Sequence, residues 1–149
     1  MKIAIGSDHG GLELKENIRK YLKEEGIDFL DLGTDSDESV DYPEFGYKVS
    51  KAVKDGECDL GIVCCGTGIG ISISANKVKG VRCALCSDCY SARMAREHNN
   101  ANVLALGGRV VGKDLAIEIV DTFLKGKFQG GRHERRVNKI TDIEKDNMV

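Results

Sequence analysis

The sequence predicts an α/β protein in which a five-stranded parallel sheet is covered by helices on both faces. Short runs with strand character alternate with amphipathic segments along all 149 residues. Most of the strand runs are apolar at nearly every position, as strands of a parallel sheet covered on both faces are, whereas a half-exposed strand would alternate apolar and polar residues. No repeat, low-complexity tract or interdomain linker interrupts the pattern, and a chain of this length buries a single core. One domain over residues 1–149 is therefore expected.

The first two strands are read at Lys2–Ser7 and Ile27–Leu32. Between them Leu14, Ile18, Tyr21 and Leu22 recur at helical spacing, and Gly26 marks the stop. Asp41-Tyr42-Pro43-Glu44 has helix-start chemistry, with a capping Asp, an early Pro and a Glu in the first turn. Phe45, Val49, Ala52 and Val53 form its apolar stripe. A third strand spans 59–65, and a helix runs from about Ile69 to about Lys77. A fourth strand is expected over roughly 81–86, with Ser87-Asp88 capping a helix that ends near His98. Asn102–Leu106 is the fifth strand, and Ala116, Ile117, Val120, Phe123 and Leu124 define the next helix. After a loop at Gly126–Gly131 comes a charged helix over about 132–146, with Val137, Ile140 and Ile143 on its apolar side. The sum is a single-domain, Rossmann-like three-layer α/β/α sandwich.

Composition narrows the function. A formal net charge of −2, four Tyr, four Phe and no Trp argue against a nucleic-acid partner. No run approaches the roughly 18 apolar residues that span a bilayer. The start MKIAIGSDHGG lacks signal-peptide character, so a cytoplasmic protein with no membrane partner is expected. The six cysteines are not read as a disulfide framework. Cys83-x-x-Cys86-x-x-Cys89 superficially suggests an iron–sulfur run. In a strand, however, residues three apart point to opposite faces, so Cys83 and Cys86 are expected to be small buried apolar residues and no metal is expected.

Ligands of such sheets bind outside the carboxyl ends of the strands. Those ends carry Asp8-His9-Gly10-Gly11, Cys65–Gly70, Ser87-Asp88 and Gly107-Gly108-Arg109, a set rich in glycine, charge and nucleophile. The run CGTGIGISISAN is the most informative. Glycines at 66, 68 and 70 permit a tight turn whose amides face a ligand, and the following helix aims its positive end at the same spot. Cys65, at the strand exit, sits where that field favours a thiolate. The alternative is a buried inert thiol such as Cys64, whose side chain is expected on the opposite face. Thr67 places a hydroxyl inside this turn and otherwise reads as an ordinary helix N-cap, and His98 alone reads as a favourable charge at a helix end. Position 71 is Ile, which breaks the dinucleotide fingerprint, and no Gly-Lys-Ser/Thr completes a phosphate-binding loop.

Five segments in order, IAIGSDHGG, TDSDESVDYP, CGTGIGISISANK, REHNNANVLALGGRVVG and GGRHERRV, carry a resemblance over essentially the whole chain. The sequence resembles the B-type ribose-5-phosphate isomerases, within a wider group that includes galactose-6-phosphate and allose-6-phosphate isomerases. The resemblance implies interconversion of ribose 5-phosphate and ribulose 5-phosphate through a cis-enediolate, without metal or cofactor. It makes Cys65 the base that moves a proton between C1 and C2. Some branches replace this Cys by Ser and recruit a Glu; this chain belongs to the Cys branch. Amides of Gly66, Thr67, Gly68, Ile69 and Gly70 suit the enediolate oxygens, and Thr67 can relay protons between them. By resemblance His98 opens the sugar ring with help from Asp8, and Asn99 bonds the substrate. His9, Arg109, Arg132 and Arg136 hold the phosphate, the last two lying four apart on one helical face. Arg135 points away as a surface charge, while Tyr42 and His133 match family positions near the substrate.

The predicted layout contains a conflict. Cys65 ends a strand at the carboxyl edge, whereas His98 ends a helix running back toward the other edge. A homodimer, or a dimer of dimers, that shares its sites would resolve it, with His98, Asn99 and the arginines near 132–136 coming partly from the partner and the final helix contributing to the dimer and phosphate site. Two alternatives remain at this level. One keeps the chemistry on a 6-phosphohexose such as allose or galactose 6-phosphate, although galactose-type enzymes pair unlike subunits and this chain has the complete motif set. The other is a nucleotide-binding regulatory domain built on the 66–70 turn, which gives Cys65, His98 and the arginine pair no role.

Overall fold

A computed structural model describes residues 1–148, leaving the last residue of the predicted 1–149 domain outside the described part. It contains the predicted elements in the predicted order. β1 (Lys2–Ser7) leads through a 3-10 turn at His9–Gly11 into α1 (Leu12–Glu24), followed by β2 (Asp28–Asp31) and α2 (Tyr42–Lys54). Next come β3 (Leu60–Cys65), α3 (Ile69–Ala75), β4 (Cys83–Leu85) and α4 (Cys89–Glu97). β5 (Val103–Gly107), α5 (Lys113–Lys125) and α6 (Arg132–Asn147) complete the chain.

All strand pairs are parallel, in the order β2-β1-β3-β5-β4. The chain moves outward from β1 to β2 and then returns to place β3 on the other side of β1. The crevice between β1 and β3 is thus a topological switch point. Register brings Ser7 beside Cys64 and Cys65 beside Gly107, so the exits of β1, β3 and β5 lie side by side. Backbone bonds lace them together: Asp8 N–H donates to the Cys64 carbonyl at 3.3 Å, Gly108 N–H to Cys65 at 2.8 Å, and Arg109 N–H to Gly66 at 2.9 Å.

The alternation of side chains sorts two cores. Ile3, Ile5, Ile62, Cys64, Leu104 and Leu106 pack with α1, α4 and α5 on one face. Ala4, Val63, Cys65, Val103 and Ala105 pack with Phe45, Val49 and Ala52 of α2 and Ile71 of α3 on the other. Cys64 and Cys65 therefore point into different layers, as their strand position requires. Burial pushes the Cys64 thiol well above its ordinary range.

The edges depart from the sequence reading. β4 covers three residues, not six, since only β5 pairs with it, and β2 is likewise short and half-exposed. Cys83 is half-buried, not buried, while Cys86 is buried; the two fall on opposite sides of the sheet. Burial raises their thiols to about 12 and about 11. Asp41 occupies the cap position of α2 but its side chain makes no capping bond. Asp88 does cap α4, accepting from Ser91 N–H at 2.7 Å. α3 stops at Ala75, before the expected Lys77. The Asn76 side-chain amide takes over there, donating to the Ser72 and Cys83 carbonyls at 3.1 and 2.9 Å.

α6 lies outside the two helical layers, across the β4 edge. Of its expected apolar side only Val137 is buried; Ile140 and Ile143 are 47% and 64% exposed. Glu144 accepts from the Gly80 N–H at 2.8 Å. A cavity of about 430 Å³ separates α6 from β4 and α4, lined by Ala84, Ala95, Asn99, Ile140 and Ile143 among others. One face of the last helix is thus left without a partner in a single chain.

Candidate active site

β1 delivers Asp8 to the switch point. Asp8 is buried, and its Oδ1 accepts from Gly11 N–H at 3.0 Å, which caps the 3-10 turn and fixes the carboxylate beside the turn's glycines. His9 follows directly. Its Nδ1 accepts the Val40 N–H at 3.1 Å, which places the proton of the neutral ring on Nε2, a donor.

β3 delivers Cys65, only 4% exposed, and its Sγ accepts the Gly68 N–H at 3.1 Å. That bond requires Gly68 to turn with φ +80°, the left-handed region that a β-carbon disfavours. A β-carbon at this position would also lie 2.5 Å from Leu85 Cδ1 and 2.8 Å from the Leu106 carbonyl carbon. Gly68 is the N-cap of α3, which corrects the N-cap reading of Thr67. Thr67 is exposed and its hydroxyl accepts the Ile69 N–H at 3.2 Å from one residue further out. The Gly68 N–H faces Sγ at the start of α3, whose first-turn amides have no intrahelical partners. A polarised sulfur thus sits beside N–H donors, the arrangement that supports negative charge on carbon and oxygen.

β5 delivers Arg109, whose Nη1 lies 3.0 Å from where a Gly66 β-carbon would be. The Tyr42 ring covers Gly70, with Cε1 at 2.5 Å from the corresponding β-carbon position. Tyr42 therefore stands against the glycine turn. His9, Gly10, Gly108 and Arg109 line one wall of a cavity of about 380 Å³ next to this cluster.

The rest of the expected set is elsewhere. His98 caps the carboxyl end of α4, and Asn100 turns with φ +48° to start the chain back into β5. β5 is five residues long, so its two ends are about 13 Å apart. His98 and Asn99 precede one end; Cys65 and Arg109 stand at the other. The His98 ring stacks on His133 of α6 with centroids 3.9 Å apart and planes within 9°. Burial, then the neighbouring His98 ring, then Arg132 and Arg136 hold His133 below the ordinary histidine range. One chain thus brings together Asp8, His9, Cys65, Gly66 to Gly70, Arg109 and Tyr42. It collects His98, Asn99, Arg132, His133 and Arg136 at the opposite edge, so the four expected phosphate ligands are divided two and two.

The sequence reading passed over Lys15. It is fully buried, with Nζ at 3.0 and 2.8 Å from the Asp31 carboxylate and 2.7 Å from the Thr34 carbonyl. The signal was available, because Lys15 stands three and seven residues before Ile18 and Leu22 on the apolar stripe of α1. Among the described residues, no three His, Cys, Asp or Glu side chains are grouped to hold a metal ion, and no helix is long and apolar enough to cross a membrane.

A family described as Ribose/Galactose Isomerase matches residues 3–140. Ribose-5-phosphate isomerase B of Escherichia coli is 52% identical over 143 residues, 96% of this chain and 96% of that protein. Among solved structures, ribose-5-phosphate isomerase B of Clostridium thermocellum matches with a TM-score of 0.97 at 65% identity, covering 98% of this chain and 99% of that one. Ribose-5-phosphate isomerase B of Mycoplasma genitalium, solved with bound ribulose 5-phosphate, matches with a TM-score of 0.93 at 47% identity over 98% and 97% of the two chains.

Two outcomes are expected from this geometry. Gly68→Ala combines a left-handed residue with a backbone clash and should lower the unfolding free energy by about 2–4 kcal/mol in urea titration. The depressed His133 makes the second. Between its folded value and the ordinary one of 6.5 the unfolded chain binds more protons, so stability is complete above that range and declines as pH falls through the folded value. His133→Asn should flatten this part of the stability–pH curve; an unchanged slope would contradict the assignment.

Proposed function

The chain belongs to the ribose/galactose isomerase family, and on that premise we propose that it is an aldose–ketose isomerase interconverting D-ribose 5-phosphate and D-ribulose 5-phosphate through a cis-enediolate. The observation that carries the chemistry is Cys65 Sγ held at 3.1 Å by the Gly68 N–H, at the N-cap of α3. Family membership displaces the regulatory nucleotide reading, in which this sulfur had no task.

The reaction begins with a furanose, whose ring oxygen takes a proton from His98 while Asp8 draws on the hydroxyl side. The opened aldehyde lies with C2 against Cys65. The thiolate removes the C2 proton, and electron density moves onto O1 as the enediolate forms. Donors at Gly66 to Gly70 meet that charge; in other enzymes losing one such donor costs about 3 kcal/mol of transition-state stabilisation. Thr67 relays a proton between O2 and O1, and Cys65 returns its proton to C1. His9 Nε2–H and Arg109 hold the phosphate from one side, and Arg132 and Arg136 of a second subunit hold it from the other. No metal or cofactor enters.

Two features favour a homodimer, or a dimer of dimers, with shared sites. The expected ligands divide between opposite edges of the chain, and α6 leaves Ile140 and Ile143 exposed beside its own half of the set. The bound ribulose 5-phosphate of the Mycoplasma genitalium relative supports a phosphopentose substrate. The protein is proposed to work in the cytoplasm.

Cys65→Ala should slow turnover of ribose 5-phosphate about a thousandfold, and loss of deuterium from C2 should slow with it. Undiminished deuterium loss in that variant would overturn the role of the sulfur. Assays on allose and galactose 6-phosphates beside ribose 5-phosphate fix the sugar. For assembly, Cys65→Ala and His98→Ala subunits are each expected to be inactive alone. Refolded together, they should recover about a quarter of wild-type activity, the yield of random pairing across a two-fold axis. No recovery in verified mixed dimers would place each site within one chain.

A further inference from the structure

Lys15 is the one lysine wholly withdrawn from solvent among the described residues, and its surroundings explain more than helix packing. Burying an ammonium costs free energy unless every proton finds an acceptor. Here Asp31 supplies two oxygens and Thr34 its carbonyl. A salt bridge alone would be a poor reason for the residue, because an apolar pair of similar volume ties a helix to a strand at least as well. The Thr34 carbonyl is different. It lies beyond the end of β2, in the segment that crosses to the active site.

That segment can be followed residue by residue. Leu32 N–H donates to Ile5 at 2.8 Å and Thr34 N–H to Ser7 at 3.0 Å, so the chain keeps running beside β1 after β2 ends. Gly33 N–H donates to Asp31 Oδ1 at 2.9 Å, joining the turn to the same carboxylate that Lys15 holds. Thr34 is then the last buried residue before Phe45. Asp35 to Ser39 are exposed. Out of this stretch come the Val40 N–H, which bonds His9 Nδ1 at 3.1 Å, and Tyr42, whose ring covers Gly70.

We propose that Lys15 is a positioning residue for the isomerase: from inside the core it anchors residues 32–42, and through the Val40 N–H it fixes which nitrogen of His9 is offered to the substrate phosphate. The inference rests on the phosphate role of His9 proposed above. With Thr34 held, Val40 N–H occupies Nδ1 and the ring presents Nε2–H. With Thr34 released, the exposed stretch has no buried foothold, Val40 drifts from His9, and the ring samples both tautomers. A donor that was fixed is then available only part of the time.

The test uses Lys15→Met and the double variant K15M/D31N, in which no buried charge is left unpaired and the amide oxygen introduced at position 31 still accepts the Gly33 N–H. The double variant keeps the test valid should the single one fail to fold. Three readouts are compared with wild type: thermal midpoint, steady-state kinetics on ribose 5-phosphate, and the nitrogen chemical shifts of His9 by NMR. In the folded double variant kcat/KM is expected to fall about tenfold, mostly through KM, as loss of a ground-state phosphate contact requires. His9 should pass from a single Nε2–H tautomer to an average of two. In a His9→Ala background the same substitutions should add little, since both act on one contact. A folded variant with kcat/KM within about twofold of wild type, an unaltered His9 signature, or a loss that adds fully to His9→Ala would overturn the proposal. Absence of isomerase activity in the wild-type protein would instead overturn the function on which it rests.

Discussion

The hydrogen bond from Gly68 N–H to Cys65 Sγ organises the carboxyl edge of the sheet, and it exists because residue 68 can adopt a left-handed backbone in a space that admits no β-carbon. From that turn follow the start of α3, the direction of its first amides and the position of Thr67. The neighbouring strands are fitted to it. β5 brings Arg109 over Gly66, and β1 brings Asp8 and His9 to the other side, because parallel register aligns the ends of all three strands. A single sulfur at the end of a central strand thus acquires donors, a carboxylate and two cationic or donor side chains from three different segments.

The same parallel topology forces a division. Every helix that follows a strand must carry the chain back to the amino edge, so whatever a helix presents at its carboxyl end is separated from the strand exits by the length of a strand. His98 and Asn99 are such residues. α6 begins near them, through the stacking of His133 on His98, and brings Arg132 and Arg136 to the same edge. The exposed Ile140 and Ile143 next to this second cluster are what a helix awaiting a neighbour looks like. Under the proposed pairing, one feature of the fold accounts both for the split site and for the apolar surface beside it.

Much of this was legible in the sequence, and the exceptions have physical reasons. Central strands announce themselves by continuous apolar runs, and β1, β3 and β5 stand where expected. β4 was overestimated because an edge strand pairs on one side only, which local pattern does not reveal. Asp88 and Asp41 look alike as caps in sequence, yet only Asp88 makes the bond. The thiol, the glycine turn and the arginines could be picked out because chemistry restricts residue types at such places. The Val40 N–H on His9 could not, because a backbone amide has no signature in sequence. Nor could the stacking of His98 on His133, two residues 35 positions apart whose meeting is decided by how α6 crosses the β4 edge. Lys15 could have been found as the charged intruder on an apolar stripe.

The placement of α6 also bears on how damage acts. Its arginines form the tail of the chain, while the sheet and its thiol are complete before that tail begins. A copy clipped between Gly126 and Gly131 would keep both hydrophobic cores but lose the Ile140 and Ile143 face on which the proposed pairing rests. Under the proposed exchange it would retain its own sulfur but withhold guanidinium groups from its companion. The injured molecule would lose pairing surface and guanidinium groups in one cut, so proteolytic nicking in this short glycine-rich connector would drop it out of the assembly.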